Sequence, residues 1–251
     1  MTKKILLSIL FAASMAQASI QELVPKLSAA NLEVQTQAQL DLLAACSNAG
    51  RPGAEDERKS ICLEMCSALK KSPPPAVASQ LLRNLQRIGG AESVPTLVTM
   101  YGSSDPHVAD DARQALAVNP SPEAGQALTA QLKMRKARSA RETAGLIEAL
   151  GERKEAGASQ LVAPYAGSPD LLVFNAAVKA LGRLNEDEGI RALATQRAKE
   201  TGFRLTQLNA ALLQSGRENV FEMLYAPSES SEVQASALLG LLLVQDAAEQ
   251  K

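Results

Sequence analysis

Asp105-Pro106-His107-Val108 opens a segment that continues through Ala112 to Ala115-Leu116. Val108, Ala112 and Leu116 are spaced i, i+4, i+8, which places them on one face of an α-helix. The same stripe recurs as Val173, Ala177 and Leu181. It recurs near both ends as well, as Glu33-Val34-Gln35 with Ala38 and Leu42, and as Glu232-Val233-Gln234 with Ala237 and Leu241. Carrying the register through the chain adds Leu85, Leu150 and Leu212. The seven Leu anchors then lie 43, 31, 34, 31, 31 and 29 residues apart. A period in this range marks a repeat architecture, and about seven units fill residues 19–251.

Tyrosine phasing supports the register. The protein has three tyrosines, Tyr101, Tyr165 and Tyr225, and each falls late in the segment before an anchor helix. Each unit therefore reads as two antiparallel helices, a short first one and a second that carries the stripe. Ser103-Ser104-Asp105-Pro106, Gly167-Ser168-Pro169-Asp170 and Pro73-Pro74-Pro75 supply the turns, where a helix start tolerates Pro. Gly89, Gly151 and Gly182 sit just behind anchors, where they permit termination or close helix approach. The long first interval contains Ser47 to Glu57, which reads as an inserted loop. One such pair cannot bury its apolar face, but stacked neighbours can.

These residues resemble a known family. Asp105-Pro106-His107-Val108 with Ala112 and Ala115-Leu116, and Val173 with Ala177 and Ala180-Leu181-Gly182, are similar to the short HEAT repeat, a form also found in phycobilisome lyases. The resemblance runs over nearly all of residues 19–251. It implies an all-α fold, a right-handed α-α superhelix (α-solenoid) of about seven HEAT-like helix pairs. In that family an Arg commonly follows the Val; here the position holds Gln35, Ala109, Phe174 and Gln234. Tetratricopeptide repeats fit less well, because the intervals scatter around 34 and the chain has no Trp.

Composition agrees and excludes several function classes. Among 251 residues are 43 Ala and 36 Leu, seven aromatics, one His and three Cys. So many good helix formers argue against sandwiches, barrels and doubly wound sheets. A single His forbids two-His metal motifs. Neither Gly-x-Ser-x-Gly nor a phosphate-binding Gly-Lys occurs, and no cofactor is expected. With 26 basic and 27 acidic residues, no whole-protein field points to nucleic acid or to anionic lipid.

Residues 1–18 read as a signal peptide: Lys3 and Lys4, an apolar run from Ile5 to Ala13, then Ala16-Gln17-Ala18. Cleavage after Ala18 would release a periplasmic or secreted protein with 24 basic and 27 acidic groups. No later stretch reaches transmembrane length, so no membrane insertion is expected after cleavage.

Candidate chemistry is sparse. His107, Asp110 and Asp111 open an anchor helix and read as turn and first-turn residues, with the carboxylates suited to the positive end of the dipole. Lys133, Arg135, Lys136, Arg138 and Arg141 place five cations in nine residues, suited either to a solvated turn or to docking an acidic protein, a phosphate or an anionic polymer. Without interleaved aromatics they do not read as a nucleic-acid site. Arg83, Arg113, Lys179, Arg183 and Arg204 flank the stripe and are candidates for a concave binding face. In an oxidising compartment Cys46 and Cys62 could bridge the first two units and leave Cys66 free; the other reading is three reduced, buried thiols.

The expectation from all this is an exported, non-catalytic scaffold for protein partners in the cell envelope. A solenoid enzyme, or a lyase-like chaperone acting on a cofactor or polymer, is the alternative from another class. A structural subunit of an envelope complex is a third reading. It rests on the last helix, whose Leu238, Leu239, Leu241, Leu242, Leu243 and Val244 lack the polar face of a solenoid cap and could self-associate.

Overall fold

A computed structural model describes residues 19–134 and 139–249. The expected leader with its cleavage point, and Arg135, Lys136 and Arg138 of the basic cluster, lie outside the described residues.

Fourteen α-helices occur among the described residues, with no strand. They fall into seven consecutive pairs. The first three pairs are α1 (Ile20–Lys26) with α2 (Leu32–Ala49), α3 (Glu55–Lys70) with α4 (Pro75–Ile88), and α5 (Val94–Tyr101) with α6 (Pro106–Val118). Next come α7 (Pro122–Lys133) with α8 (Ala140–Arg153), and α9 (Ala158–Val162), prolonged by a 3₁₀ turn, with α10 (Leu171–Leu184). The last two are α11 (Asp187–Arg197) with α12 (Gly202–Gln214), and α13 (Glu218–Leu224) with α14 (Ser231–Glu249). Packing runs within a pair or to the next pair along the chain, giving one odd-numbered and one even-numbered row. This is an α-solenoid.

The helix starts follow the turn chemistry. Asp105 Oδ1 accepts from the backbone N–H groups of His107 and Val108, and Asp170 Oδ1 accepts from those of Leu172 and Val173. Ser139 and Glu142 form a reciprocal capping box at α8. These caps fix where α6, α8 and α10 begin and therefore which face their stripes present.

All seven anchors fall on even-numbered helices. Leu42, Leu85, Leu116, Leu150, Leu181 and Leu212 are at most 1 % exposed, and each contributes roughly 2 kcal/mol of burial. Leu241, on the last described helix α14, is half-buried. The long first interval has a different cause from the one the sequence suggests. Ser47 to Ala49 complete α2, and Glu55 already begins α3, so only residues 50–54 form a loop. The extra length lies in the helices, α2 at 18 residues and α3 at 16.

Two glycines close the middle of the even row. A Cβ on Gly151 of α8 would lie 2.7 Å from the Cα of Ala180 on α10. One on Gly182 of α10 would lie 3.1 Å from the carbonyl oxygen of Ala211 on α12. The even-numbered helices also make the more extensive contacts along the middle of the stack. The even row is thus the more closely packed of the two.

Candidate functional site

Three of the four departures from the family's Arg have a structural explanation, and Ala109 has none. Gln35 Nε2 donates to the Leu27 carbonyl, and Gln234 Nε2 donates to the Ala226 and Glu229 carbonyls. Both tie the turn that precedes their own helix. Phe174 cannot do this; it is fully buried, and the Arg204 guanidinium from the next pair lies 3.7 Å from its ring centroid. Arg204 also donates through Nη1 and Nη2 to the Ser168 carbonyl, so it ties the turn that Phe174 leaves untied.

That arrangement removes Arg204 from the free surface. Arg113 is spent likewise: Nη1 donates to the Gly145 carbonyl of α8, while Nε and Nη2 hold Asp110. Burial would raise the Asp110 carboxyl, but the Arg113 hydrogen bonds and charge outweigh it and hold the group below its ordinary value. Arg183 pairs with Glu152 at 3.7 Å, both largely exposed, which contributes little. Lys179, Lys133 and Arg141 are exposed. Arg141, Arg113, Asp110, Ser139, Glu142 and Tyr101 line a small cleft of about 250 Å³.

Two residues that read as first-turn carboxylates are connectors instead. Asp110 serves Arg113, and Asp111 is 7 % exposed with Oδ1 accepting from Arg83 Nε on α4 at 3.3 Å. His107 is exposed at the start of α6, as the sequence suggests. Tyr101 is buried, Tyr165 half-buried and Tyr225 46 % exposed, so the tyrosines share a phase but lose cover toward the C-terminal end.

The open part of the even row is near the N-terminal end. A groove of about 420 Å³ between α2 and α4 is lined by Gln39, Leu42, Leu43, Gln80, Arg83, Asn84 and Arg87. A second, of about 410 Å³, continues across α4 to Asp105 and His107 and shares Gln80 and Arg83 with the first. Together they form a trough across α4. Arg87 and Gln80 are residues that the stripe argument does not single out. The i, i+4 spacing of Arg83 and Arg87 on one helix face is the available signal.

The cysteines are free, buried thiols, and Cys46 and Cys62 are not bridged. Cys62 Sγ donates to the Ile88 carbonyl at 3.1 Å, and Arg58 Nη1 bonds the same carbonyl and Glu92 Oε1. Burial pushes the Cys46 thiol up to about 11 and the Cys62 thiol up to about 12, so both are protonated and poorly nucleophilic near neutral pH. Among the described residues there is no group of three or more His, Cys, Asp and Glu side chains arranged to hold a metal. No described helix is long and apolar enough to cross a membrane.

No curated protein sequence matches the chain. Among solved structures, the CpcE–CpcF complex of phycocyanin lyase from Nostoc sp. PCC7120 is 19 % identical, with 93 % of this chain and 91 % of that one covered at a TM-score of 0.47. A designed armadillo repeat protein in complex with the peptide (KR)4 is 16 % identical, covering 89 % and 98 % at a TM-score of 0.43. Human deoxyhypusine hydroxylase is 17 % identical, covering 90 % and 96 % at 0.36. Residues 63–146 match the family model for HEAT repeats. That match falls on α3 to α8, within seven stacked helix pairs, and the described residues as a whole form an α-solenoid.

Proposed function

We propose that this protein is an exported, non-catalytic scaffold that binds a protein partner along its even-numbered helices, in the periplasm or outside the cell. The observation that carries the reading is the trough across α4, where cationic and amide side chains face an open groove with a Leu floor. Elsewhere along that row Arg113 and Arg204 are consumed in holding the solenoid together. Open surface with uncommitted hydrogen-bonding groups is what recognition needs and what stacking does not. The export half rests on the sequence of residues 1–18.

The test is photo-crosslinking in living cells. p-Benzoylphenylalanine at Leu43 or Lys179 on the even row should capture a discrete protein, whereas the same probe at Glu123 or Arg191 on the odd row should not. Equal capture from both rows, or none from the even row, overturns the reading. The protein recovered from the envelope should begin at Ser19; an intact Met1 in the cytosolic fraction defeats export.

One observation favours a structural-subunit reading alongside this one. Leu238, Leu239, Leu242 and Leu243 of α14 are 41 to 61 % exposed, so the C-terminal end presents an apolar helix face. Sedimentation showing a clean monomer across micromolar concentrations would remove self-association through that end.

A further inference from the structure

The trough across α4 has a chemistry of its own. Arg87 is exposed and has no hydrogen-bond or ion-pair partner among the described residues. Arg83 gives only Nε to Asp111, so its two terminal nitrogens remain free on a side chain that is 66 % exposed. The two guanidinium groups stand one helical turn apart on α4. Of the neighbouring carboxylates, Asp111 accepts from Arg83 through Oδ1 while its Oδ2 is buried without a donor, and Asp105 caps α6. Gln80 Oε1 is buried with no hydrogen-bond donor, and Gln39 and Asn84 add further amides beside it. Leu42 and Leu43 form the apolar floor.

We infer that this trough holds an extended acidic segment of a partner protein, a deepening that rests on the scaffold reading. Each feature matches one part of such a segment. Two guanidinium forks donate to carboxylates in bidentate geometry. The exposed Gln39 amide oxygen on the groove wall accepts a backbone N–H, which a nucleic-acid backbone or a polyphosphate lacks. The Leu floor takes an apolar side chain between the acids. No Phe, Tyr or Trp side chain lines the trough to stack a base.

The probe is a fluorescein-labelled octapeptide alternating Glu with Leu, compared with its Lys-for-Glu counterpart, in anisotropy titrations of the purified protein. Arg87→Glu should weaken the acidic peptide by about tenfold or more, and Lys179→Glu, at an exposed cation elsewhere on the row, should leave it unchanged. Circular dichroism verifies that both variants fold. The Lys peptide should not bind. Equal losses in both variants, equal binding of the Lys peptide, or displacement of the acidic peptide by polyphosphate at lower concentration overturns the inference. The in-cell crosslinks separate the two levels. A partner captured at Lys179 but not at Leu43 removes the trough and leaves the scaffold; no capture at either removes the scaffold itself. A partner captured at Leu43 through a segment rich in Asp and Glu supports both.

Discussion

The α8–α10 junction and the α2–α4 junction join equivalent helices of the same repeat, yet one is closed and the other open. At the closed junction Gly151 faces Ala180, so two backbones approach until there is no room for a Cβ. At the open one Gln39, Leu42 and Leu43 face Gln80, Asn84 and Arg87, and these side chains keep the helices far enough apart to leave a groove. Near the closed junctions cations are consumed: Arg113 on a carbonyl of α8, Arg204 on the turn before α10. Beside the open one Arg87 is left over. Small residues on the even row therefore decide where neighbouring helices close up, and larger polar residues decide where a groove is left.

Adding a side chain at a glycine should consequently mean different things at the two junctions. Gly151→Val puts a branched side chain where even a Cβ would meet backbone at 2.7 Å. Relief requires α8 and α10 to separate, and urea denaturation should show a loss of about 3 kcal/mol. Gly50, at the end of α2, has ordinary negative φ. An added Cβ there would lie 3.3 Å from the Cys46 carbonyl of the same helix and 3.5 Å from Ile88 Cγ2. Gly50→Ala should change stability by no more than about 0.5 kcal/mol. Similar losses at the two positions would mean that the two junctions are not differently spaced.

A second break targets the clasps rather than the seam. Arg153 is nearly buried; Nη1 donates to the carbonyls of Leu116, Ala117 and Asn119, and Nη2 to that of Ser121. One guanidinium thus serves the C-terminal end of α6, whose last carbonyls have no partner within the helix. Arg153→Ala should cost about 2 kcal/mol in the same denaturation experiment. Arg153→Lys should recover little of it, since a single ammonium cannot span carbonyls on both sides of a turn. Arg217 makes a matching clasp on Asn185 and Asp187 at the end of α10, so the device recurs along the stack.

Much of this fold is legible in the sequence because the repeat is written in burial. The Leu anchors and the Val and Ala stripe positions follow from a period of 3.6 within helices and of about 33 between them. The pairing of helices follows from turns at Asp105-Pro106 and Asp170. What cannot be read is the assignment of polar side chains, because an Arg on a helix face has the same spacing whether it meets solvent, a carbonyl or a ring. Arg113 and Arg204 read as surface and are structural; Arg87 carries no mark in the stripe and is free. Asp111 reads as a dipole partner and is the buried connector of Arg83. Those outcomes depend on which residue the neighbouring pair presents some 30 positions away. The long inserted loop fails for a related reason: a run of charge such as Glu55-Asp56-Glu57 suits a first helical turn as well as a loop.

The smallest expected effect is also the most discriminating. Arg87→Ala removes an exposed cation that bonds to nothing among the described residues, so its stability cost should stay within about 0.5 kcal/mol. Burial dominates the raised Cys46 thiol, and the Arg87 charge opposes it by favouring the thiolate. Losing that charge should make Cys46 still harder to ionise and slow its alkylation by iodoacetamide at alkaline pH, without changing that of Cys62. A variant with native stability and this selective slowing places the Arg87 guanidinium over the α2–α4 groove near Cys46. A loss of stability comparable to that of Arg153→Ala would instead make Arg87 another clasp, and the contrast between the closed and the open junction would disappear.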